Sequence, residues 1–384
     1  MTVQRFSGPG DILALLRREG PLTRGELQEI TGLSRMTVTQ RVTALQERFL
    51  IAEADGLEPT GGRRAGRLSF DPSRGYFAVE AMETTRARTA ITDLDGRVIA
   101  ARDCEARIAD GPAKALAATV ASIRTLLAEA NLPPDRLRGV GLSLPGPIDP
   151  GTGRPSEPPI MPGWDGWPVA EQIAAEFGRP ALIENDGNAM ALGIYRWEFP
   201  TAQSLVLIKC STGIGSGIVI GGELIGGVDG GAGDIGHIRI SSSNRICRCG
   251  SLGCLAAEAS GWAVAEKLSE AGLAAKAGHD VRAWLDRGEA VAAQCVQEAG
   301  RHIGKIGATL VSVLNPQVVV LAGDLASTPL LGGFRETLYA QTLPRATRSL
   351  DIVVSNDPDA AIRGIAQALA DQIYSPAAVN RMCG

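Results

Sequence analysis

The first fifty residues place hydrophobic side chains at the three- and four-residue spacing of amphipathic helices. The buried faces predicted for the first two helices are Ile12, Leu15 and Leu16, and then Leu27 and Ile30. Ser34 is a favourable N-cap for a third helix. The apolar face predicted for that helix is Met36, Val38, Val42, Leu45 and Phe49. This pattern indicates a small domain of three helices.

The second helix has a well-defined start. Thr23 is followed three residues later by Glu26, which is the spacing of a capping box. A turn of about three residues after Gly32 separates it from the third helix, and this order is typical of a helix-turn-helix, whose second helix enters the major groove of DNA. The polar face of the third helix offers side chains that can bond bases and phosphates: Arg35, Thr37, Thr39, Gln40 and Arg41.

The segment that follows, "LEPTGGRRAGRLSF", combines glycines with three arginines, Arg63, Arg64 and Arg67. We interpret it as a β-wing or arm that reaches a minor groove, where the negative potential favours arginine. The alternative is a helical bundle that serves dimerisation, with solvated arginines. The agreement of turn spacing, polar face and basic segment favours DNA binding.

From residue 76 onwards, short apolar strands alternate with helices. "YFAVEAM", "LRGVGLSL", "SLVLIKC" and "QVVVLAG" are predicted strands, and "PAKALAATVASIRTLLAEA" is a predicted helix. The pattern predicts an α/β body with two lobes and a cleft between them. The predicted boundaries are 1–72 for the winged helix-turn-helix and 76–384 for the body, with lobe one at about 76–195 and lobe two at about 196–384.

Composition and charge refine this picture. A chain of 384 residues is long enough for two or three domains. Residues 1–70 carry ten basic and eight acidic residues, a net +2, whereas the remainder carries 28 basic and 34 acidic residues, a net −6. A basic head on an acidic body is consistent with a nucleic-acid module. Because no apolar leader or membrane-spanning run is visible, we expect a cytoplasmic protein with no membrane partner and with reduced thiols.

Three cysteines lie within "CRCGSLGC", namely Cys247, Cys249 and Cys254. In a reducing compartment such a cluster predicts metal ligands, and structural Zn²⁺ takes four ligands in a tetrahedron. His237, which nine residues separate from Cys247, is the nearest histidine in the sequence. The alternatives are buried reduced cysteines without a metal and a redox pair, and the spacing disfavours the latter.

The ordered set "SLPGPID", "ENDGNAMA", "STGIGSG", "GDIGHI", "CRCGSLGC" and "NPQVVVLAG" resembles the ROK family of bacterial sugar kinases and sugar-responsive repressors. The resemblance covers the body, and the repressor branch also carries an N-terminal winged helix. It implies an actin-like ATPase (ribonuclease H-like) fold, a sugar pocket between the lobes, a dimer or higher homo-oligomer, and a Cys₃His structural zinc site completed by His237.

The resemblance also implies which residues bind sugar. Asn185 and Asp186 would hold hydroxyls, with Asp186 as the base in an active kinase, and Asp234, His237 and the backbone of Gly146 would complete the pocket. The family's kinases carry a further glutamate where this chain has Ala256. Glu258, two residues on, is not expected to replace it.

The same resemblance bears on catalysis. ROK kinases turn after their first strand through an Asp-x-Gly-Gly-Thr loop that approaches ATP phosphates. Here the stretch is "EAMETT", in which Glu80, Met82 and Glu83 replace the aspartate and glycines. We expect the side chains of Met82 and Glu83 to fill the space of the phosphates. The second phosphate loop, "STGIGSG", is largely kept. We therefore expect no ATP use and a vestigial role for Asp186.

Together these features predict a sugar-responsive transcriptional regulator, a repressor in preference to an activator, that binds double-stranded operator DNA as a dimer. Two alternatives stay open at this point. One is an active ATP-dependent sugar kinase with a DNA-binding head, and the other is a regulator that responds to a partner protein.

Overall fold

The computed structural model describes residues 6–54, 66–240 and 243–384. The N-terminal part is a winged helix-turn-helix, in which β3 lies between β1 and β2 in an antiparallel sheet. Its elements are α1 (Pro9–Glu19), β1 (Leu22–Thr23), α2 (Arg24–Thr31), α3 (Arg35–Glu47), β2 (Ile51–Ala54) and β3 (Arg67–Phe70).

Both predicted helix starts in this domain are confirmed. Thr23 and Glu26 form the capping box of α2, and the Ser34 side chain accepts a hydrogen bond from the N–H of Thr37 at the start of α3. Each contact satisfies a backbone N–H that has no partner within its helix.

Three residues predicted to be buried are exposed. Met36 is 80 % exposed, Phe49 65 % and Ile30 47 %, so this part of the prediction is wrong. The buried stripe of α3 is Val38, Val42 and Leu45. Met36 precedes Val38 by two residues, about 200° around the helix, and therefore faces outward. Phe49 lies beyond the end of α3 at a φ of 56°, and Ile30 lies in the last turn of α2.

The first sheet of the body has the strand order β10-β7-β4-β5-β6, in which β4, β6, β7 and β10 run in one direction and β5 runs antiparallel to its neighbours β4 and β6. Its chain segment contains β4 (Tyr76–Met82), β5 (Arg86–Asp93), β6 (Val98–Glu105), α4 (Pro112–Glu129), β7 (Leu137–Leu144), the small pair β8 (Ile148–Asp149) and β9 (Arg154–Pro155), α5 (Val169–Phe177), β10 (Ala181–Asn185) and α6 (Asp186–Glu198).

The second sheet has the order β13-β12-β11-β14-β15. Its strands are β11 (Ser204–Cys210), β12 (Ile214–Ile220), β13 (Glu223–Leu224), β14 (Val318–Ala322) and β15 (Asp351–Ser355). The helices of this half are α7 (Leu255–Ala259), α8 (Gly261–Glu270), α9 (Gly278–Asp286), α10 (Ala290–Leu314), α11 (Thr328–Gln341), α12 (Pro344–Thr347), α13 (Ala360–Ile373) and α14 (Pro376–Cys383). The predicted α/β class of the body is confirmed, and the exact domain boundaries stay predictions.

Two helices connect the lobes, because each packs mainly on the sheet of the other lobe. Helix α6 packs on β11 and β12 of the second sheet, whereas α13 packs on β4 and β7 of the first, and the two helices contact each other. A Cβ atom on Gly193 would lie 1.9 Å from the carbonyl oxygen of Ala360, and one on Gly364 would lie 1.7 Å from that of Ala189. Backbone therefore packs directly against backbone where α6 crosses α13.

The winged domain docks on the C-terminal end of the body. The N–H of Gly10 donates to the Asn380 side chain at 2.8 Å, and Arg17 forms an ion pair with Asp371 at 2.9 Å. One apolar cluster runs from the core of the winged domain through Tyr374 to α13 and the first sheet. None of the helices in the described ranges combines the length and hydropathy needed to cross a lipid bilayer.

Candidate functional site

A cleft between the two lobes brings together all five predicted sugar-binding residues. Gly146, Asn185, Asp186, Asp234 and His237 line it. Asn185 and Asp186 lie where β10 ends and α6 begins, which is where open α/β sheets hold ligands.

Asn185 also has a structural task. Its Oδ1 accepts hydrogen bonds from the N–H groups of Gly187 and Asn188, at 2.9 and 3.2 Å, and thereby caps α6. Its Nδ2 donates to the carbonyl oxygen of Gly146 at 3.0 Å. The loop that contains Gly146 and the start of α6 are therefore held together, and one N–H of the Asn185 amide is left for a ligand.

Asp186 forms an ion pair with Lys209, a residue that the sequence analysis did not single out. Asp186 begins α6 after the first sheet, and Lys209 lies on β11 of the second sheet, so the pair bridges the cleft. Both residues are less than a tenth exposed. Burial alone would lower the pKa of the Lys209 ammonium, but the carboxylates of Asp186, Glu83 and Asp324 outweigh it and raise that pKa. A lysine inside the otherwise apolar strand "LVLIKC" was the available sequence signal.

A second set of ion pairs crosses the cleft nearby. Arg86, on β5, donates to Glu83 at 2.6 Å and to Asp324, which follows β14, at 2.5 Å. Burial acts to raise the pKa of Glu83, but Lys209 and Arg86 outweigh it, so the pKa is lowered. Burial and the neighbouring Glu83 raise the pKa of Asp324. This part of the cleft thus contains three carboxylates and two cations.

The three substitutions in "EAMETT" occupy different environments. Glu83 lines the cleft, whereas Met82 is buried in the core of lobe one, so the expectation that Met82 fills the phosphate space is wrong. Glu80 is also buried, and its carboxylate accepts hydrogen bonds from Thr89 and Thr119, both at 2.6 Å. Burial raises the pKa of Glu80, although the two hydroxyls oppose the shift.

The predicted metal ligands form one cluster. The ligand atoms of His237, Cys247, Cys249 and Cys254 all lie within 4.8 Å of one another. Nδ1 of His237 is 3.7 Å from the Cys247 sulfur, and the sulfurs of Cys249 and Cys254 are also 3.7 Å apart. Tetrahedral Zn²⁺ with Zn–S bonds of about 2.3 Å separates its sulfurs by about 3.8 Å. The side chains are therefore arranged as a Cys₃His metal site requires.

The thiols of this cluster do not share one environment. Burial, followed by the neighbouring sulfurs, raises the pKa of Cys254 to about 12. Burial also acts on Cys249, but hydrogen bonds from Ser251 and the other thiols outweigh it and lower the pKa to about 6. One thiolate is thus favoured among the three, which suits the binding of a cation.

The cluster adjoins the cleft on the side of Ala256. His237 and Cys247 line the cleft together with Ala256. Glu258 accepts a hydrogen bond from Ser243 at 2.5 Å and lies 3.7 Å from the Lys267 ammonium. It is engaged away from the cleft, in agreement with the expectation that it does not replace a glutamate at position 256.

The predicted DNA-contacting residues differ in availability. Arg35, Thr39 and Gln40 are exposed on α3, beside the exposed Met36. Thr37 lies 2.9 Å from the Ser34 hydroxyl. The other four predicted arginines are Arg41, Arg63, Arg64 and Arg67.

Arg41 donates to the carbonyl oxygen of Phe6 at 3.3 Å. Arg67, on β3, donates to the carbonyl oxygen of Pro21 at 3.1 Å and to Glu26 at 3.4 Å. Arg63 and Arg64 lie outside the described residues.

Comparison with known proteins supports both predicted parts of the chain, the winged helix-turn-helix and the body. The model of the ROK family matches residues 77–372, and a model described as winged helix-turn-helix DNA-binding matches residues 10–48. The N-acetylglucosamine repressor of Escherichia coli O6:H1 is 27 % identical over 367 residues, covering 90 % of this chain and 87 % of that protein.

Two solved structures extend the comparison. A ROK family transcriptional regulator, a homologue of the E. coli MLC protein, superposes with a TM-score of 0.82 at 24 % identity over 98 % of both chains. The ROK hexokinase of Thermus thermophilus superposes with a TM-score of 0.60 at 25 % identity, covering 77 % of this chain and 97 % of the hexokinase. The hexokinase thus matches the body, and the regulator matches the whole chain. The chain therefore belongs to the ROK family, with an N-terminal winged helix-turn-helix joined to the family's two-lobed body.

Proposed function

We propose that this protein is a sugar-responsive transcriptional repressor whose kinase-like body binds a sugar without phosphorylating it. One observation carries the proposal: a single chain joins a helix-turn-helix with an exposed polar face on α3 to a cleft lined by Gly146, Asn185, Asp186, Asp234 and His237. The E. coli relative is, by its name, a repressor that responds to a sugar derivative, and this supports the sign of regulation and the class of effector.

The Cys₃His cluster would hold a structural Zn²⁺ ion. With Nδ1 of His237 facing the cysteines, Nε2 of the same ring is left for a sugar hydroxyl, and the metal would fix the tautomer and the orientation of the ring. Four protein ligands leave no open position for catalysis. The ion would therefore stabilise the loop that contains Cys247 and Cys249 at the edge of the cleft.

Three features support the loss of phosphoryl transfer. Glu83 brings a carboxylate into the cleft, where an anionic phosphate would have to bind. Arg86 is already paired with Glu83 and Asp324. Lys209 is hydrogen-bonded to one oxygen of Asp186, the residue that would deprotonate a sugar hydroxyl, so an ammonium already occupies part of the carboxylate that would have to act as the base.

A continuous set of contacts supports communication between the cleft and the DNA. Asp186 begins α6, and α6 crosses α13 with backbone against backbone at Gly193 and Gly364. The other end of α13 reaches the winged domain through Arg17, which is paired with Asp371. A change in lobe closure would thus reorient the winged domain.

We propose a homodimer that binds a pseudo-palindromic operator in the cytoplasm, where the DNA is. The two recognition helices must then match half-sites about 34–36 Å apart, or a multiple of that distance. Because this match is geometric, a small rotation of the lobes would be enough to weaken binding. A sugar shifts the equilibrium by the difference between its affinities for the two states.

A gel-shift experiment tests the proposal. The purified protein is mixed with DNA from upstream of its own gene, and the experiment is repeated with a panel of monosaccharides and their derivatives. We expect a shifted band that at least one sugar relieves. Binding that every sugar leaves unchanged, together with a cellular protein that co-purifies and releases the DNA, would favour the regulator that responds to a partner protein.

The second candidate is an active ATP-dependent sugar kinase. Three features favour it: Asp186, the loop with Gly213 and Gly215, and the fold shared with the hexokinase. A coupled assay with ATP and a panel of hexoses separates the two functions. We expect no turnover above background, and formation of a phosphorylated sugar would overturn the proposed loss of catalysis.

A further inference from the structure

The wall of the cleft next to the metal cluster has a different chemistry from the polar edge at Asp186. Arg248, Ala256 and Trp262 line this wall. Ala256 and Trp262 belong to one buried apolar cluster with Cys247, and the guanidinium of Arg248 lies 4.6 Å from the centre of the Trp262 ring. The wall therefore presents an apolar surface with a cation at its rim.

No acidic side chain balances this cation within the described part of the chain. No ion pair or side-chain hydrogen bond of Arg248 is found there, although 23 ion pairs are found among the described residues. Glu258, the nearest acidic residue in sequence to Ala256, is engaged by Ser243 and Lys267. A guanidinium has five N–H donors, so Arg248 keeps its capacity to bind an anion.

The backbone around Arg248 is fixed by its own turn. The N–H of Cys247 donates to the carbonyl oxygen of Ser251 at 2.8 Å, and the N–H of Gly250 donates to that of Cys247 at 2.9 Å. Arg248 thus projects from a closed loop, with its side chain packed on an aromatic ring. Such an arrangement reduces the conformational entropy that a long side chain loses when it binds a ligand.

The remainder of the cleft decides the orientation of a charged ligand. Asp186 and Asp234 supply carboxylates that can accept hydrogen bonds from sugar hydroxyls but repel an anion. Lys209 is already paired with Asp186. An anionic substituent would therefore be directed away from this edge and towards Arg248.

We propose that the effector is a sugar with an anionic substituent, a carboxylate or a phosphate, which pairs with Arg248 over Trp262 in the space that the small side chain of Ala256 leaves open. This inference rests on the proposed function and narrows the class of effector. It makes Arg248 and Ala256 determinants of specificity, whereas Asp186 and Asp234 recognise hydroxyls that neutral and acidic sugars share.

Calorimetric titration of the full-length protein tests the inference with matched ligands: glucose, glucuronate, glucose 6-phosphate, glucose 1-phosphate and N-acetylglucosamine. We expect at least one acidic sugar to bind about tenfold or more tightly than glucose, because a hydrogen bond to a charged group contributes that much. The glucuronate and phosphate arms distinguish the two sources of charge, and N-acetylglucosamine tests size without charge.

Variants separate charge from structure. R248Q should remove the preference for the acidic sugar and leave the affinity for glucose within about twofold, and A256E should weaken the acidic sugar further by filling the space with a like charge. R287Q is the matched control, because Arg287 lies 4.9 Å from the ring of Trp284, outside the cleft lining. R287Q should change neither the affinity for glucose nor the affinity for the acidic sugar.

The outcomes are distinct. If glucose or N-acetylglucosamine binds as tightly as every acidic sugar, or if R248Q weakens all sugars equally, the inference is overturned and the proposed function stands. If no neutral or acidic sugar binds, or if none changes the affinity for operator DNA, the proposed function fails as well.

Discussion

The ion pair between Lys209 and Asp186 gives a sharp test of the cleft described above. We consider the variant K209M, which keeps an unbranched apolar side chain and removes the ammonium. Lys209 and Asp186 are 8 % and 9 % exposed, so the Asp186 carboxylate would stay buried without its partner. Glu83 and Asp324 would then face it with only Arg86 to balance three negative charges in this network.

We expect K209M to lose much of its free energy of unfolding, because a buried charge without a partner destabilises the folded state. Breaking a buried ion pair by removing one partner typically lowers the free energy of unfolding by about 3–5 kcal/mol. Urea unfolding of K209M, D186N and the double variant measures this loss. We expect the double variant to be less destabilised than the sum of the single variants, because each substitution removes the charge that the other leaves without its partner.

The pH dependence provides a second signature. In the native protein Lys209 acts to lower the pKa of Glu83 and of Asp324, so in K209M both folded-state pKa values should rise. The folded variant then binds more protons, and its stability falls as pH rises through the range between the unfolded and folded pKa values. In the native protein the raised pKa of Lys209 contributes stability that is present below its ordinary value of 10.5 and is lost only as pH rises through the folded value. The deficit of K209M should therefore be larger at pH 8 than at pH 5.

K114M is the matched control, because Lys114 is 74 % exposed and pairs with Asp110 on the surface. It should unfold at the same urea concentration as the native protein. A deficit for K209M below about 1 kcal/mol, the range of exposed pairs, would refute the reasoning. So would a deficit that is independent of pH.

Three further predictions concern other parts of the chain. Elemental analysis should find one zinc ion per chain in the native protein and in C295S, whose substitution lies outside the cluster, whereas C249S should purify without zinc. E80Q should gain stability relative to the native protein between pH 4 and pH 7, as measured by urea unfolding at each pH. The folded pKa of Glu80 is raised, so ionisation of this carboxyl costs the native protein stability as pH rises above about 4.5. G364A should lose more than about 1–3 kcal/mol in the same assay, since its methyl group would lie 1.7 Å from a backbone oxygen, whereas G332A, with open space on α11, should be neutral or stabilised.

Features that depend on local sequence could be predicted. The capping box of Thr23 and Glu26 and the turn before Ser34 follow from contacts within a few residues. The cluster of Cys247, Cys249 and Cys254 is also local, and only His237 comes from outside the loop, so the close spacing of the thiols was enough to predict candidate metal ligands. The five cleft residues came from the resemblance to the ROK family, since no local pattern states that Asp234 and Asn185 share a pocket.

Features that depend on tertiary contacts could not be predicted. Lys209 and Asp186 lie on different sheets, and the alternation of strands and helices does not determine which residues face each other across a cleft. Met36 illustrates the opposite error, because an apolar residue on a recognition helix is placed in the core by hydropathy alone. Its exposure beside Gln40 instead suits contact with a thymine methyl group in the major groove.

The pairing of Lys209 with Asp186 also suggests how a sugar could act on the lobes. The pair joins the two sheets, and a hydroxyl that donates to Asp186 would share the negative charge of that carboxylate with Lys209. Binding would then weaken one link between the lobes while it adds new contacts, so the sugar would have different affinities for the open and closed states. That difference is the thermodynamic condition for control of DNA binding, and it requires no covalent step.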